Sequence, residues 1–261
     1  MTSPPLPTAA SPLTSKKVAA VLNTNATATV LTSSQLPSPP PPPINPSTSI
    51  SINIKPDIHI APVSLATDSS FITSLTNLIN QIYTDSERGF WNIDPFTRTT
   101  PSEVREFITT GTLAIAWLPG SSRLSIGELM GCGRVQLLSP TPTPDPWGIE
   151  QRNPDAETET ETVAVGQFGC LICHPRYRGC GVGRDLLKFA ETWAKERGAG
   201  KMQVELVVGD GWEHEEKVKL ARWYERAGYK TTKEVDLWEG IPELGPLLRR
   251  GARYRVYQKG L

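Results

Sequence analysis

The sequence predicts an α/β domain built on a mixed, mostly antiparallel β-sheet. Segments in which polar and apolar residues alternate, as they do in strands, are interleaved with segments whose apolar residues recur at helical spacing. The resulting order, β-α-α-β-β-β-α-β-α-β-β, combines hairpins, which pair strands antiparallel, with helical crossovers, which pair them in parallel. We therefore expect about four helices to flank a single sheet.

The first predicted elements are an edge strand and two helices. Asp57 to Ser64 (DIHIAPVS) alternates polar and apolar residues, and Pro62 favours an edge position because proline cannot donate a ladder hydrogen bond. Behind an N-cap at Asp68 or Ser69, apolar residues recur at helical spacing: Phe71, Leu75, Leu78, Ile79 and Ile82. A shorter helix is expected to begin in the segment TPSE (residues 100–103), because proline fits the first turn of a helix.

The middle of the chain predicts three strands and a long loop. Residues 113–117 and 126–138 read as two strands joined by the turn segment PGSSR. Residues 140–161, which are dense in proline and acidic residues, predict a solvent-exposed insertion. The third strand is expected over residues 163–173.

The last part of the chain predicts two helices and three strands. A helix with one apolar face follows residue 183 and is expected to end near Gly198, since glycine commonly follows a helix C-terminus. A strand over residues 202–208 leads to a helix over residues 217–227. Two further strands are expected at residues 229–237 and 253–258.

The first 55 residues differ in composition from the rest of the chain. They contain no Asp or Glu, and they are rich in Ser, Thr, Ala and Pro. Such a segment cannot bury enough apolar surface to offset the entropy of ordering its backbone, about 1–2 kcal/mol per residue. We therefore predict a disordered arm over residues 1–55 and one folded domain over residues 56–261.

Charge and hydropathy exclude several classes of function. The formal net charge is +0 and no run of Lys or Arg stands out, so nucleic-acid binding is not expected. The longest apolar run, Leu113 to Leu118, is far shorter than the ~20 residues of a membrane-spanning helix, so no membrane role is expected. Four cysteines without a secretory signal indicate a reducing compartment, which favours the cytoplasm or nucleus. The Ser-rich arm resembles an organelle transit peptide only weakly, because it lacks Arg.

Two different chemistries can be assigned to residues 170–184 (CLICHPRYRGCGVGR). Cys170, Cys173 and His174 have the C-x-x-C-H spacing of a covalent haem site. On a regular strand, however, positions 170 and 173 point to opposite faces, with Cα atoms roughly 10 Å apart. The same separation argues against a disulfide or a metal site. We therefore predict no haem and no metal, and cysteines that pack in or near a core.

The same stretch also forms an R-x-x-G-x-G loop between a predicted strand and a predicted helix. Gly179, Gly181 and Gly183 permit positive φ and close approach of a ligand, and the loop amides can converge on an anion. The first turn of the helix adds unpaired N–H donors and about half a positive charge. This context favours a pyrophosphate site over a purely structural turn, which is the commoner role of glycine-rich loops taken alone.

Two segments resemble the signatures of the GCN5-related N-acetyltransferase (GNAT) superfamily. LICHPRYRGCGVGRDLL, from Leu171, is similar to the acetyl-CoA-binding segment, in which a strand leads into R/Q-x-x-G-x-G/A and a helix. LARWYERAGY, from Leu220 to Tyr229, is similar to the second signature, an apolar helix that carries a tyrosine and is followed by Gly and an aromatic residue. The resemblance extends from about Asp57 to the C-terminus.

The resemblance implies a fold, a cosubstrate and a set of binding residues. In the family, the strand before the loop diverges from the next strand, which opens a V-shaped splay between the two central strands for acetyl-CoA. The backbone of Leu171, Ile172 and Cys173 would bind pantetheine. The loop would hold the pyrophosphate mainly through its N–H groups: Arg178, Gly179, Cys180, Gly181, Val182 and Gly183. Lys217 departs from the family, which often has a pantetheine-binding Asn at this position, so that contact is in doubt.

Tyr224 and Glu205 are the candidates for the proton transfers. Tyr224 matches the family's tyrosine, whose phenol can protonate the departing sulfur; its alternative role is that of a core aromatic residue. Glu205 lies in the otherwise apolar strand MQVELVV, which makes it a candidate general base, although a structural hydrogen-bonded carboxylate is equally consistent. His174, His214 and an ordered water are the other candidates for the base.

The resemblance therefore implies an acetyl-CoA-dependent N-acetyltransferase that acts on a primary amine by direct attack in a ternary complex. Cys173 and Cys180 have no evident His partner, so no acetyl-cysteine intermediate is expected. The acceptor would be a small-molecule or peptide amine, and the sequence leaves a homodimer open. The alternative is a catalytically degenerate module of the same fold that binds acyl-CoA and is recruited through its N-terminal arm.

Overall fold

The computed structural model describes residues 54–93, 96–122, 125–138, 164–240 and 242–261. The predicted insertion over residues 140–161 and nearly all of the predicted arm over residues 1–55 lie outside the described residues.

Seven strands form one mixed sheet in the order β1-β2-β3-β4-β5-β7-β6. Neighbouring strands pair antiparallel except for the parallel pair β4 and β5. The predicted mixed, mostly antiparallel sheet is therefore confirmed. The strands are β1 (Asp57–Ile60), β2 (Leu113–Trp117), β3 (Leu129–Leu138), β4 (Ala164–Cys173), β5 (Ala199–Gly209), β6 (Lys230–Asp236) and β7 (Ala252–Gly260).

Five α-helices occur in the described residues, one more than the sequence predicted, because the four-residue α5 lacks a recognisable start signal. Asp68 caps α1 by accepting a hydrogen bond from the Phe71 N–H at 2.9 Å, and Thr100 and Glu103 form a capping box at the start of α2. The helices are α1 (Ser69–Ser86), α2 (Pro101–Thr109), α3 (Val182–Lys195), α4 (Glu215–Arg226) and α5 (Leu237–Gly240).

Element boundaries differ from the prediction at several points, three of which have a clear local cause. The first strand stops at Ile60 because the chain turns at Pro62 into a 3₁₀ helix over Val63–Thr67. Residues 126–128 form a short 3₁₀ helix in place of the start of β3. Helix α4 begins two residues early because Glu215 and Glu216 favour the positive end of a helix dipole.

Each face of the sheet has its own core. Helices α3 and α4 pack against one face, where Phe168, Val204 and Leu206 are buried. Helices α1 and α2 pack against the other face, where Cys132 and Ile172 are buried. Successive strand residues alternate between these two cores, as the period of a strand requires.

The parallel pairing of β4 and β5 ends part-way along both strands. Phe168 and Val204 are the last paired residues, yet β4 continues to Cys173 and β5 to Gly209. A bulge in β4 accompanies the divergence: Cys132 pairs with Ile172 and Arg134 with Gly169, and Cys170 between them has φ +50°. The predicted V-shaped splay between the two central strands is thus confirmed.

Gly133 faces this bulge and provides a test of how tightly β3 and β4 are packed. A Cβ at Gly133 would lie 2.5 Å from the buried Phe168 ring, whereas a Cβ at Gly169 would have nothing within 4 Å. We expect Gly133→Ala to lower the free energy of unfolding by about 1–3 kcal/mol, because the added methyl group forces the buried Phe168 ring to shift. The control Gly169→Ala should change it by less than about 0.5 kcal/mol. Urea denaturation measures both, and equal effects would contradict the tight packing.

Candidate active site

The glycine-rich loop lies between the end of β4 and the start of α3, as predicted. Gly179 and Gly181 have φ values of +81° and +85°, which side-chain-bearing residues rarely adopt. Gly181 is the N-cap of α3 and provides no side-chain cap for the first helical amides. Val182 is buried against the α3 core and fixes the loop to the domain. The loop therefore presents uncapped helix amides at a rigid, glycine-lined turn.

These features fit the phosphate and pantetheine parts of a coenzyme A thioester. The start of α3 supplies amide donors and a partial positive charge for an anion. Beyond Phe168, the backbone of β4 has no partner on its β5 side, so the amides and carbonyls of residues 169–173 can bind an extended amide-containing chain. The two predicted parts of the cofactor site are thus adjacent and continuous in the structure.

A cavity of about 620 Å³ passes through the opening between β4 and β5 and reaches both faces of the sheet. Six of the predicted site residues line it: Leu171, Ile172, Cys173, Arg178, Glu205 and Tyr224. The other predicted loop residues, Gly179, Cys180, Gly181, Val182 and Gly183, are not among its lining residues. The opening therefore brings the predicted pantetheine strand together with both catalytic candidates.

Tyr224 reaches the cavity from the α4 side of the sheet. It is 4% exposed and packs against the rings of Trp223, Tyr229 and Tyr257, with centroid distances of 4.9, 5.9 and 6.1 Å. Burial, with smaller contributions from Cys173 and Tyr257, raises the pKa of the Tyr224 phenol above its usual value of 10. The phenol thus carries its proton at neutral pH and can donate it.

Glu205 reaches the cavity from the opposite face of the sheet. It is the first residue of β5 beyond the last pair with β4, and its side chain is half-buried. Its Oε1 accepts hydrogen bonds from the side-chain amides of Gln167 at 2.5 Å and Gln203 at 2.9 Å. Gln203 and Glu205 therefore project from the same face of β5, as alternate residues of a strand do.

The two histidine candidates for the base do not line this cavity. The His174 side chain accepts a hydrogen bond from the Arg176 N–H at 3.2 Å and caps the short 3₁₀ helix after β4. The His214 ring lies 3.1 Å from the Arg88 carbonyl oxygen and 5.0 Å from the Phe90 ring. Both imidazoles thus have local structural contacts.

Cys170 and Cys173 pack against different cores. Cys170 packs against the α1 and α2 core, and Cys173 packs against the α3 and α4 core. The two sulfurs therefore lie on opposite faces of β4 even though the strand is bulged. Burial raises the pKa of the Cys173 thiol to about 11, against smaller opposing effects of Arg178 and the Gly183 amide. Among the described residues, no group of three His, Cys, Asp or Glu side chains has the arrangement of a metal site.

Two arginines in the cavity wall were missed by the sequence analysis. The Arg98 guanidinium lies 5.0 Å from the Tyr83 ring centroid, and the Arg134 guanidinium lies 4.6 Å from that of Phe107. Burial lowers the pKa of Arg134. The contacts join residues that are far apart in sequence, so no local pattern indicates them.

Lys217, the departure from the family signature, forms a buried ion pair. Its Nζ donates to Glu87 Oε1 at 2.7 Å, and both residues are 6% exposed. Trp91 Nε1 donates to the other oxygen of Glu87 at 2.9 Å. Burial by itself would raise the pKa of Glu87, but Lys217, Arg98 and these hydrogen bonds lower it overall. Lys217 therefore ties the start of α4 to the end of α1.

The geometry of loop, splay and cavity agrees with an independent comparison of the sequence. The profile of a family described as Acetyltransferase (GNAT) domain matches residues 127–231, which include the splay, the loop and Tyr224. Residues 127–231 of the chain are thus similar to the GNAT acetyltransferase domain. No curated protein sequence matches the chain.

Solved GNAT structures share the fold at low sequence identity. One is NAA60 of Arabidopsis thaliana in complex with acetyl-CoA, with 10% sequence identity and a TM-score of 0.50 over 79% of this chain and 99% of that chain. A second is Drosophila melanogaster polyamine N-acetyltransferase, with 14% identity and a TM-score of 0.51 over 79% of this chain and 100% of that chain. A third is mosquito arylalkylamine N-acetyltransferase like 5b, with 18% identity and a TM-score of 0.50 over 79% of this chain and 100% of that chain. Similarity at this level shows the GNAT fold alone. Within the described residues, none of the helices is both long and apolar enough to span a bilayer.

The Glu87 and Lys217 pair predicts a specific pattern of stability changes. We expect Lys217→Met to lower the free energy of unfolding by about 3–5 kcal/mol, because it leaves the Glu87 carboxylate buried without its partner. Adding Glu87→Gln should recover most of the loss, since the buried charge is then gone and Trp91 keeps an acceptor.

Lys219→Met is the matched control on α4, because Lys219 pairs with Glu215 and Glu216 at the exposed surface. Its denaturation midpoint should stay close to that of the unmodified protein. A Lys217→Met variant that is as stable as the control would contradict the proposed importance of the pair.

The Glu87 and Lys217 pair should also make the free energy of unfolding decrease at acidic pH. Because the pKa of Glu87 is lowered in the folded state, its stabilisation is present above the pKa of the unfolded carboxyl group and is lost as the pH falls through the lowered one. The free energy of unfolding of the unmodified protein should therefore fall relative to that of the Glu87→Gln, Lys217→Met variant as the pH drops below about 4.3. Denaturation at a series of pH values measures it.

Proposed function

We propose that this protein is an acetyl-CoA-dependent N-acetyltransferase that transfers the acetyl group to a primary amine by direct attack in a ternary complex. The observation that carries the proposal is the cavity through the β4 and β5 opening. It connects a cofactor-type strand and loop on one side with Tyr224 and Glu205, which approach from opposite faces of the sheet. A single passage with room for both substrates, lined by Tyr224 and Glu205, supports this proposal.

The residues for the cosubstrate divide into backbone and loop. We propose that the backbone of Leu171, Ile172 and Cys173 binds pantetheine, which places the thioester beside Tyr224. The uncapped amides at the start of α3 and the glycine loop hold the pyrophosphate. Arg178 lines the cavity between these two parts and adds positive charge near the phosphates. Backbone groups thus do most of the binding, which is compatible with a varied side-chain sequence.

The chemistry requires the acceptor nitrogen to lose protons and the departing sulfur to gain one. An amine with a pKa near 10.4 is only roughly 0.04% neutral at pH 7, so a nearby base makes attack feasible. In the proposed reaction, the ammonium form of the acceptor first loses one proton to Glu205, directly or through one water molecule. The neutral nitrogen then bonds to the thioester carbonyl carbon and releases its second proton to solvent. The carbon–sulfur bond then breaks, and the Tyr224 phenol gives its proton to the departing sulfur. The products are an N-acetylated amine and coenzyme A.

The acceptor is proposed to be a primary amine of a small molecule or a peptide. A cavity of about 620 Å³ is large enough for the reacting ends of both substrates. The walls on the α1 and α2 side combine aromatic rings with carboxylates, among them Tyr83, Phe107, Glu103 and Glu106. Structural neighbours include a polyamine acetyltransferase and an arylalkylamine acetyltransferase like protein, so small amines are the first acceptors to screen.

A thiol-release assay with acetyl-CoA and an amine panel tests the function and the role of Tyr224 together. We expect Tyr224→Phe to lower kcat by about 10²-fold, because the leaving thiolate loses its proton donor, with little change in the KM for acetyl-CoA. Tyr229→Phe is the control: its hydroxyl donates to Glu191 at 3.0 Å and does not line the cavity. It should keep its kcat.

The outcomes separate the enzyme from the binding module of the same fold. Tight binding of coenzyme A without thiol release on any amine would favour the module. Release that is unchanged in Tyr224→Phe would exclude Tyr224 as the acid.

Cys173 gives a second prediction, which tests direct transfer. Its pKa of about 11 keeps the thiol protonated at pH 7, so it is a poor nucleophile despite lining the cavity. We expect Cys173→Ala to retain kcat within about threefold, and mass spectrometry of the unmodified protein mixed with acetyl-CoA alone to show no acetyl adduct. A stoichiometric adduct that forms only when Cys173 is present would contradict direct transfer.

A further inference from the structure

Four glutamines form a transverse row across the sheet beside Glu205. Gln136 pairs in register with Gln167, Gln167 with Gln203, and Gln203 with Gln258, so the row crosses β3, β4, β5 and β7. Since paired residues share a face, all four side chains project to the face that carries Glu205. The row is one residue before the last pair of β4 and β5, at the vertex of the splay.

The hydrogen bonds of the row are directional and converge on a single atom. From one side, Gln136 Nε2 donates to Gln167 Oε1 at 2.5 Å, and Gln167 Nε2 donates to Glu205 Oε1 at 2.5 Å. From the other side, Gln258 Nε2 donates to Gln203 Oε1 at 2.9 Å, and Gln203 Nε2 donates to Glu205 Oε1 at 2.9 Å. Each outer glutamine thus polarises an inner one, and both inner amides donate to the carboxylate.

We propose that the glutamine row is a positioning device that holds the Glu205 carboxylate for proton transfer. This inference rests on the proposed N-acetyltransferase function. Gln167 and Gln203 fix the plane of the carboxylate through Oε1, and Gln136 and Gln258 fix the two inner amides. Among the residues that the structure describes, Oε2 has no recorded hydrogen-bond partner, so it is the oxygen available to the acceptor amine.

Two physical arguments favour positioning over a purely structural role. Hydrogen bonds to a charged acceptor are roughly twice as strong as those between neutral groups, and chains of amides polarise one another cooperatively. Both effects strengthen the hydrogen bonds that hold the Glu205 carboxylate in one orientation. In addition, all five side chains are half-buried, so water competes only partly for their hydrogen bonds.

The location of the row explains why Glu205 needs such support. Glu205 has no strand neighbour on its β4 side, because the pairing stops at Val204. A glutamate side chain at a strand opening has three rotatable bonds and would sample several orientations. Gln167 reaches across from the last paired part of β4 and restrains it. The same opening that admits the substrates would otherwise leave the base loosely held.

Kinetics of Gln→Met variants test the proposal, because methionine keeps the length of the side chain and removes the donor. We expect Gln167→Met and Gln203→Met each to lower kcat about tenfold, and Gln136→Met and Gln258→Met about two- to threefold, with the KM for acetyl-CoA unchanged. Exposed Gln81 on α1 is the control, and Gln81→Met should behave as the unmodified protein.

A double-mutant cycle distinguishes positioning from general destabilisation. In a Glu205→Gln background, Gln167→Met should lower the residual kcat by less than about twofold, because no carboxylate remains to be positioned. An equal tenfold loss in both backgrounds, or no loss in the unmodified background, would overturn the proposal. An unchanged kcat in Glu205→Gln itself would instead remove Glu205 as the base and leave the transferase function standing.

A measurement without turnover keeps the proposal testable if no acceptor amine is found. In protein labelled with ¹⁵N-glutamine, each side-chain amide signal can be assigned from its loss in the corresponding Gln→Met variant. We expect Glu205→Ala to shift the amide signals of Gln167 and Gln203 strongly and to speed their hydrogen exchange, with smaller shifts for Gln136 and Gln258. Signals that do not move in Glu205→Ala would show that the amides do not converge on the carboxylate.

Discussion

The end of the hydrogen-bonded pairing between β4 and β5 is the constraint on which the site depends. Two parallel strands that stay paired would leave no passage through the sheet and no backbone groups for a ligand. Because pairing stops at Phe168 and Val204, the next five residues of β4 have no β5 partner, and the cavity passes between the two strands. The same break places Tyr224 and Glu205, which belong to opposite faces of the sheet, along one passage. Catalytic geometry here therefore follows from strand geometry before any side chain is considered.

Sequence reasoning succeeded where the determinant is local. The alternation of apolar residues, the Asp68 cap and the Pro101 start specify α1 and α2, and the glycines specify the loop before α3, since each signal lies within a few residues. The bulge at Cys170 was not predictable, because a positive φ at cysteine carries no residue signature and is imposed by the partner strand. The pairing of Glu87 with Lys217 joins residues 130 positions apart and requires the tertiary fold. The glutamine row requires the register of four strands, which no local pattern specifies.

Lys217 lies just before the segment from Leu220 to Tyr229, which resembles the second family signature, and also forms the long-range ion pair with Glu87. A buried ion pair rarely adds net stability, because desolvation of both charges offsets most of their attraction. Its contribution is better described as a restraint: an unpaired Glu87 or Lys217 would be costly, so α1 and α4 keep one relative position. Glu87, Lys217 and Tyr224 all line the cavity, and Tyr224 lies seven residues, about two turns, after Lys217 on α4. The pair thus helps to fix the helix that carries the proposed acid.

The proposed cosubstrate side of the cavity is built mainly from backbone groups, whereas the proposed acceptor side is built mainly from side chains. This difference explains why the cosubstrate side is recognisable from the sequence and the acceptor side is not. The proposed cosubstrate site depends on backbone amides, glycine φ values and a helix N-terminus, which many sequences provide if a few glycines are kept. The proposed acceptor side depends on side chains from α1, α2, the segment between them, β3, β4 and β5, including Arg98, Arg134 and Gln167. Their contacts are satisfied by one another rather than by the main chain, so a change at one position alters the requirements at the others. Acceptor specificity is therefore expected to diverge within this fold much faster than the binding of the acyl donor.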